Sequence, residues 1–366
     1  MNIIGQDLNL TMISEEYFKL LNPTHELNGE NRPQRHIMHY PNNESANYQK
    51  AYSVIAKLDL EIKKNNTISK DFKRLLTIIL DKKKKHELLK NLICGKPNEL
   101  RKYIRQIENF KKRYKINFSE HINGKIELTE EGKAIVSIFD YTGLALPQNT
   151  WIGNQLKIKA CPYCNAQYTV ALEDSAKFQL DHFFPQSEYP YLALSFFNLI
   201  PCCANCNLKK KAKDTYKNFP LIHPYEKSFH EIVKFETNEK IIEDFIKTGK
   251  FNSVDFKIKL STKKSGFDEI IGNHKEIFEI EEKANVHKDV VSELYMKAYI
   301  YNDSMKTELV NSFKVSIGKD KEDTLSLFTD DEIDRIVFGN YTNEKDFHKR
   351  PLSKLTRDIA EELGLI

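Results

Sequence analysis

Two closely spaced cysteine pairs restrict the fold of this chain more than any other feature of its sequence. Cys161-Pro-Tyr-Cys164 and Cys203-Ala-Asn-Cys206 are both Cys-x-x-Cys pairs, and four thiolates in such pairs can close a tetrahedral Zn²⁺ site. Because a closed site has no position for a substrate, we expect the zinc to stabilise the fold rather than to act in catalysis. Cys202 would leave a three-residue spacer to Cys206, so Cys203 is the better ligand and Cys202 is interpreted as a buried neighbour.

The distribution of cysteine also bears on where the protein works. Five of the six cysteines fall within 46 residues of a 366-residue chain, which is too clustered for a disulfide framework. The N-terminal residues do not combine a basic start, an apolar run and a small-residue cleavage site. The longest uncharged run, residues 189–208, contains two prolines and three asparagines, so we do not interpret it as a membrane helix. The sequence therefore predicts a cytoplasmic protein with reduced thiols, in which the lone Cys94 belongs to the core.

Length and hydrophobic patterning predict a division into domains. A chain of 366 residues suggests two or three domains, and a composition of 40% hydrophobic and 30% charged residues excludes disordered and fibrous classes. Residues 1–150 are predicted to form a mainly helical, basic domain and residues 151–225 the cysteine-bearing module. Residues 226–366 are predicted to be mainly helical, with a possible short strand region.

Several shorter stretches carry predictions of local structure. Apolar residues recur at three and four positions between residues 44 and 140, which is typical of helices. Alternation predicts two short strands within the module, joined by a turn near residues 173–177. The remaining predictions are a connector at residues 143–153, strands at 168–172, 178–182 and 256–261, and helices at 204–213 and 274–301.

Basic residues are concentrated in two parts of the chain. Residues 57–115 contain 19 Lys and Arg against 7 Asp and Glu, a net charge of +12, so the other residues sum to −8 within the total of +4. This asymmetry suggests a surface for nucleic acid, and solvated helix faces in a lysine-rich chain are the alternative. A second basic cluster follows the second cysteine pair directly, where lysines are predicted to meet phosphates: Lys209, Lys210, Lys211 and Lys213.

A set of polar residues between and after the cysteine pairs carries a resemblance to a known family. Asp181-His182-Phe-Phe-Pro185 lies between the pairs, Asn198 follows in Phe-Asn-Leu, and Asn207 comes directly after the second pair. Over about residues 158–215 this arrangement resembles the HNH endonucleases, which are ββα-metal nucleases with a zinc brace. Residues 181–187 are also similar to the Asp-His-x-x-Pro-Gln-Ser segment in the HNH domain of RNA-guided DNA nucleases. The resemblance implies an α+β fold, with a ββα-metal nuclease module between mainly helical flanking domains.

The same resemblance assigns a role to each polar residue. His182 is the candidate general base, because an imidazole with a pKa near neutrality can take a proton from water. Asp181 and Asn207 supply hard oxygen ligands for one catalytic Mg²⁺ or Mn²⁺ ion, which keeps several waters and takes further ligands from the scissile phosphate. Asn198 is expected to orient the loop and the imidazole through hydrogen bonds.

Other residues near these motifs are interpreted as structural. His223, just after the module, is expected to be a packed histidine rather than part of the site. The aromatic residues of the module are expected to form its small core rather than platforms on which bases stack: Tyr163, Tyr168, Phe183, Phe184, Phe196 and Phe197.

The resemblance leaves the function open between several classes. The leading hypothesis is a divalent-metal-dependent endonuclease that cuts DNA. The alternatives are a zinc-braced nucleic-acid-binding module without catalysis, and an RNA-cleaving toxin nuclease. HNH proteins with extra helical domains resemble restriction enzymes and bacterial anti-phage effectors, including the Septu-type nucleases that work beside an ATPase. Since the sequence has no Gly-x-x-x-x-Gly-Lys-Ser/Thr motif, any ATPase is expected to be a separate chain.

Overall fold

The computed structural model describes most of the chain, and its helices and strands form a mixed α+β fold, as predicted. The described residues are 4–5, 7–27, 30–33, 53–64, 67–122, 125–141, 145–211, 213–237, 248, 256–300 and 329–366. The helices are α1 (Leu10–Leu21), α2 (Val54–Lys64), α3 (Lys70–Leu80), α4 (Glu87–Cys94), α5 (Pro97–Tyr114), α6 (Glu130–Ile138), α7 (Ala145–Leu156), α8 (Ala204–Lys210), α9 (Asp268–Phe278), α10 (Ile280–Val286), α11 (Lys288–Ile300), α12 (Asp330–Phe338) and α13 (Ser353–Glu362).

Within the described residues, the strands are short and form two-stranded antiparallel sheets rather than one large sheet. They are β1 (Thr24–Leu27) with β2 (Glu30–Pro33), β3 (Ser119–Ile122) with β4 (Lys125–Leu128), β5 (Val170–Ala171) with β6 (Ala176–Lys177), β7 (Gln179–His182) with β8 (Leu199–Cys202), and β9 (Val233–Glu236) with β10 (Lys259–Thr262). The helices therefore supply most of the packing surface around these pairs.

The N-terminal helices confirm the helical prediction for this part of the chain. Each helix from α3 to α5 buries one apolar face, as shown by Leu76, Leu92 and Leu100, which have no exposed surface. Pro97 begins α5, where a missing N–H costs nothing because the first helical N–H groups have no partner within the helix. These helices belong to the same buried apolar cluster as the cysteine-bearing module.

The connector predicted at residues 143–153 is wrong, because helix α7 occupies Ala145–Leu156. Its proline falls in the first turn, where helices tolerate proline, and Ile152 and Leu156 are buried. The predicted boundary near residue 150 therefore lies within a helix. One buried apolar cluster includes residues from all three predicted parts, and their division into three domains remains a prediction.

The strand predicted at residues 178–182 is confirmed as β7, but its partner differs from the prediction. The stretch at residues 168–172 forms only the two-residue strand β5, which pairs with β6. Strand β7 pairs instead with β8, which places His182 opposite Leu199. All four residues of β8 are buried, so its sequence shows no alternation between apolar and polar residues that would reveal a strand.

The C-terminal part is mainly helical, as predicted, although the single helix expected at residues 274–301 is three helices. Glu279 has φ +50°, a left-handed conformation that ends α9 before α10 begins. The expected strand at residues 256–261 is present as β10. Helix α13 covers the edge of β9, where the carboxylates of Asp358 and Glu362 accept the backbone N–H groups of Phe235 and Thr237. No helix among the described residues is long and apolar enough to cross a membrane.

Both flanking parts hold the cysteine-bearing module in place. From the C-terminal side, the backbone N–H of Leu352 donates to the carbonyl of Asn165 at 2.6 Å, and the side chain of Asn165 donates to the carbonyl of Phe347 at 3.0 Å. From the N-terminal side, the hydroxyl of Tyr191 in the module donates to the carboxylate of Glu108 on α5 at 3.2 Å. The module is therefore embedded between helical elements.

Candidate active site

The four predicted zinc ligands come together in the structure. The sulfur atoms of Cys161, Cys164, Cys203 and Cys206 all lie within 4.8 Å of one another, and all four residues are buried. Zn–S bonds of about 2.3 Å in a tetrahedron require sulfur atoms about 3.8 Å apart, close to the 4.0 Å between Cys164 and Cys203. Cys202 is buried but lies outside the cluster, so the choice of Cys203 over Cys202 agrees with the geometry.

Neighbouring donors compensate the charge that four thiolates would carry. The backbone N–H of Cys203 donates to the sulfur of Cys161, and that of Ala166 donates to the sulfur of Cys164, both at 3.5 Å. The ammonium of Lys283 lies 3.7 Å from the sulfur of Cys206. A Zn²⁺ ion with four thiolates has a net charge of −2, and such donors stabilise it. Lys283 comes from α10, far along the chain, and no local pattern reveals this contact.

Among the described residues, the hydrogen bond that holds the His182 ring is made by one of its two nitrogens. Its Nε2 lies 2.9 Å from the carbonyl oxygen of Ala193, and because a carbonyl only accepts hydrogen bonds, Nε2 carries the proton. The lone pair of the neutral ring is therefore on Nδ1, where a general base needs it. Burial lowers the pKa of His182, against the opposing effects of the Ala193 hydrogen bond and the Asp181 charge, so the imidazole is kept in its neutral form.

Asp181 is buried and strongly hydrogen-bonded. The hydroxyl of Tyr163 donates to its Oδ2 at 2.7 Å, and the ammonium of Lys210 lies 3.1 Å from the same oxygen. Burial and the Asp181 charge raise the pKa of Tyr163, so its hydroxyl keeps the proton that it donates. The Asp181 carboxylate contacts Lys210 of α8, and the ring of its neighbour His182 packs against Tyr141.

The buried position of the Lys210 side chain disagrees with the prediction that this residue binds nucleic acid. Its side chain is 1% exposed, and besides Asp181 its ammonium donates to the carbonyl oxygens of His182 and Phe183. All three ammonium protons are therefore used inside the protein. Lys210 is one helical turn after the buried Cys206, so it lies on the inner face of α8. The prediction is corrected for this residue, which joins α8 to β7.

The other lysines of this cluster lie in more open surroundings. Lys209 is exposed and pairs with Glu279 at 2.7 Å, and Lys211 is exposed at the end of α8. The ammonium of Lys213 lies 4.4 Å from the ring centre of Phe219. Phosphate binding by these three residues remains a prediction.

Replacement of Lys210 by methionine is expected to destabilise the protein by about 3–5 kcal/mol, because it leaves the Asp181 charge buried without its partner. Lys209→Met is the matched control, since its solvent-exposed pair with Glu279 should contribute little to stability. Denaturant unfolding of both variants measures the difference. Equal stability of the two variants would show that the buried pair does not hold α8 against β7.

Asn198 fixes the loop that follows β7. Its Oδ1 accepts the backbone N–H of Phe184 at 2.7 Å, and its Nδ2 donates to the carbonyls of Phe184 and Leu192 at 3.1 and 3.0 Å. Leu192 precedes Ala193, whose carbonyl holds His182. Asn198 thus acts on His182 through the loop, and no direct hydrogen bond joins the two side chains among the described residues.

Asn207 lies on the face of α8 that is turned toward β7. Its Nδ2 donates to Oε1 of Gln179 at 2.5 Å, and Gln179 shares a face of β7 with Asp181. No hydrogen bond joins Asn207 to Asp181 in the part of the chain that the structure describes. One carboxylate and one amide oxygen on the same side of β7 fit the donor set that Mg²⁺ prefers. Any cation bound there would share Asp181 with Lys210.

The remaining interpretations of the module are confirmed with one exception. His223 is buried, and the centroid of its ring lies 4.0 Å from the centroid of the Phe183 ring. This agrees with a packed histidine. The aromatic residues named for the core are buried, except Tyr168, which is 60% exposed. Tyr168 lies four residues after Cys164 and forms an isolated antiparallel bridge with Ala160, two residues before β5 begins. Sequence reasoning did not assign the contacts of Tyr141 and Tyr163 with His182 and Asp181.

Comparison with known proteins identifies the module. Residues 161–216 match the family model described as HNH endonuclease, so the cysteine cluster, β7, β8 and α8 form an HNH endonuclease domain. A stretch of 64 residues is 38% identical to the Septu protein PtuB of Bacillus thuringiensis. This match covers 18% of the present chain and 23% of that relative, so the chain matches less than a quarter of the relative's length. No solved structure matches the chain.

Proposed function

We propose that this protein is a divalent-metal-dependent HNH endonuclease that hydrolyses phosphodiester bonds in DNA. The observation that carries the proposal is the position of His182 within the matched domain. Its Nε2 is fixed by the Ala193 carbonyl, which leaves the Nδ1 lone pair free to take a proton. Within an HNH domain, a neutral histidine with its lone pair on Nδ1 is the group that general base catalysis requires.

In the proposed mechanism, His182 Nδ1 accepts a proton from the attacking water, and burial keeps the ring neutral beforehand. Asn198 fixes the loop that carries the Ala193 carbonyl and so maintains the ring's orientation. Asp181 and Asn207 are the residues proposed to hold Mg²⁺ or Mn²⁺. When bound, that ion would supply positive charge for the phosphate and the leaving oxygen. The zinc proposed for the cysteine cluster stabilises the domain and takes no part in these steps.

The test of this function is cleavage of three substrates by the purified protein, with and without Mg²⁺ or Mn²⁺. Supercoiled plasmid, linear duplex DNA and RNA of the same sequence separate DNA cleavage from the alternative of an RNA-cleaving toxin. We expect metal-dependent cleavage of the DNA substrates. Cleavage of RNA alone would replace the proposal by the toxin alternative, and tight binding of DNA without cleavage would favour the silent module.

The biological role is proposed from the relative. The similarity to a Septu protein supports a role in bacterial defence against phage or in restriction. The free cysteines support our proposal that the protein works in the cytoplasm. The sequence has no phosphate-binding Gly-x-x-x-x-Gly-Lys-Ser/Thr motif, so we propose that an ATPase, where one takes part, is a separate subunit.

The basic N-terminal helices offer a second contact for DNA. Between α3 and α4, Lys83, Lys84 and Lys85 are exposed, whereas Lys82 is hydrogen-bonded to Asp59. A run of exposed lysines attracts phosphates and releases their counterions. We propose that this turn contacts the DNA backbone away from the cleavage site.

Neutralisation of Lys83, Lys84 and Lys85 to glutamine is expected to flatten the salt dependence of DNA binding. The slope of log K against log salt should fall by about 0.9 for each DNA phosphate that the protein no longer neutralises. The measurement is fluorescence anisotropy between low and moderate salt. The control replaces the same number of exposed lysines elsewhere, Lys257, Lys259 and Lys263. A slope that does not change would show that these three lysines do not contact DNA phosphates.

A further inference from the structure

A tyrosine outside the matched domain contacts the candidate general base. The rings of Tyr141 and His182 have centroids 4.7 Å apart and planes at 80°, a T-shaped arrangement. Tyr141 follows α6, in the part of the chain that precedes the family match at residues 161–216. The N-terminal helices thus reach the nuclease site itself as well as flanking it.

Tyr141 is held on both sides. Its hydroxyl donates to Oδ1 of Asn149 at 3.1 Å, which ties it to α7. Two residues earlier, Phe139 has no exposed surface and anchors the end of α6 in the core. The Tyr141 ring is itself only partly exposed and packs against the same core. The position of this ring is therefore set by two helices rather than by a loop alone.

The contact supplies a restraint that the Ala193 hydrogen bond does not. The ring of His182 is attached to the chain through Cβ, and the hydrogen bond at Nε2 restrains one further atom. These two restraints still allow the plane of the ring to tilt. A second ring packed at nearly a right angle blocks this tilt, because the edge of one ring meets the face of the other. The two contacts together define the direction of the Nδ1 lone pair.

We propose that Tyr141 is a positioning residue, which holds the His182 ring in the orientation needed to take a proton from water. This inference rests on the proposed nuclease function. It extends the active site beyond residues 161–216 and makes the N-terminal helices a part of the catalytic unit. The hydroxyl of Tyr141 serves to anchor the ring through Asn149, and the ring itself makes the contact.

The test compares Tyr141→Leu, Tyr141→Phe and the control Tyr103→Leu. Tyr103 is also a partly buried tyrosine packed on the core, and it lies on α5, away from His182. Tyr141→Leu is expected to lower kcat on the order of 10- to 100-fold with little change in KM, since a misplaced catalytic group costs rate rather than binding. Tyr141→Phe keeps the ring and should restore most of the rate. Tyr103→Leu should cleave like the wild type.

A second readout is independent of cleavage. In protein with ¹³C-labelled histidine and no divalent cation, Tyr141→Leu removes the ring current on His182, so the His182 ring signals should move, whereas Tyr103→Leu leaves them in place. Wild-type cleavage by Tyr141→Leu, or equal losses in Tyr141→Leu and Tyr141→Phe, would overturn the inference and leave the nuclease function intact. Absence of cleavage in the wild type would defeat the proposed function instead. His182 ring signals that do not move in Tyr141→Leu would show that the two rings are not in contact, and this result would also overturn the inference.

Discussion

Replacement of Cys203 by alanine is expected to abolish zinc binding and to unfold the HNH domain. Three thiolates cannot close the tetrahedral site, and binding of a structural Zn²⁺ contributes about 10–16 kcal/mol to folding in zinc-finger peptides. Cys203 is also the N-cap residue of α8, the helix that carries Asn207 and Lys210. Loss of this ligand should therefore release both residues from β7.

Zinc content by elemental analysis and a thermal melt by circular dichroism measure this effect. The matched control is Cys202→Ala, since Cys202 is buried beside the cluster but is not one of its members. The control should keep one zinc per chain and remain folded. A Cys203→Ala protein that is folded, active and free of zinc would show that the cysteine cluster is not a structural metal site.

Replacement of His182 by alanine is expected to lower the rate of DNA cleavage by about 10²–10⁴-fold, the usual contribution of general base catalysis. The variant loses the Nδ1 lone pair that takes the proton from water. It keeps the backbone hydrogen bonds of β7 with β8, the Asp181–Lys210 pair and the cysteine cluster. Folding, zinc content and DNA affinity should consequently stay near those of the wild type.

Single-turnover cleavage of a labelled duplex measures this effect, with DNA affinity determined separately. His287→Ala is the control, because His287 is a partly exposed histidine at the end of α10. Equal rates for His182→Ala and His287→Ala would exclude His182 as the base. Loss of zinc and of folding in His182→Ala would show that the residue is structural.

The features that local sequence predicted best are those whose signal lies within a few residues. The two Cys-x-x-Cys pairs predicted the four members of the cysteine cluster, because this spacing lets both thiolates of a pair reach one ion. Alternation predicted β7, and composition predicted α8 directly after Cys203. Asn198 and Asn207 were found through their place in the family motif. Their hydrogen bonds were not predictable, because they depend on how the loop and α8 pack.

The features that were missed depend on contacts between distant residues. Strand β8 has no alternation because both of its faces are buried. Lys210 resembles its neighbours in a lysine run, and only its place four residues after Cys206 indicates that it lies on the inner face of α8. Tyr141 and Lys283 reach the site from flanking helices. No short-range pattern could assign them, since their partners are set by the tertiary packing.

The most direct test of the central claim is the rate at which zinc-loaded wild-type protein nicks supercoiled plasmid DNA. The reaction is followed with Mg²⁺, with Mn²⁺ and in buffer without divalent cation, and His182→Ala of equal zinc content is measured alongside. We predict nicking that requires the added cation and that is lost in the variant. Nicking without any added cation, or nicking by His182→Ala at the wild-type rate, would contradict the proposed role of His182 and of the metal ion.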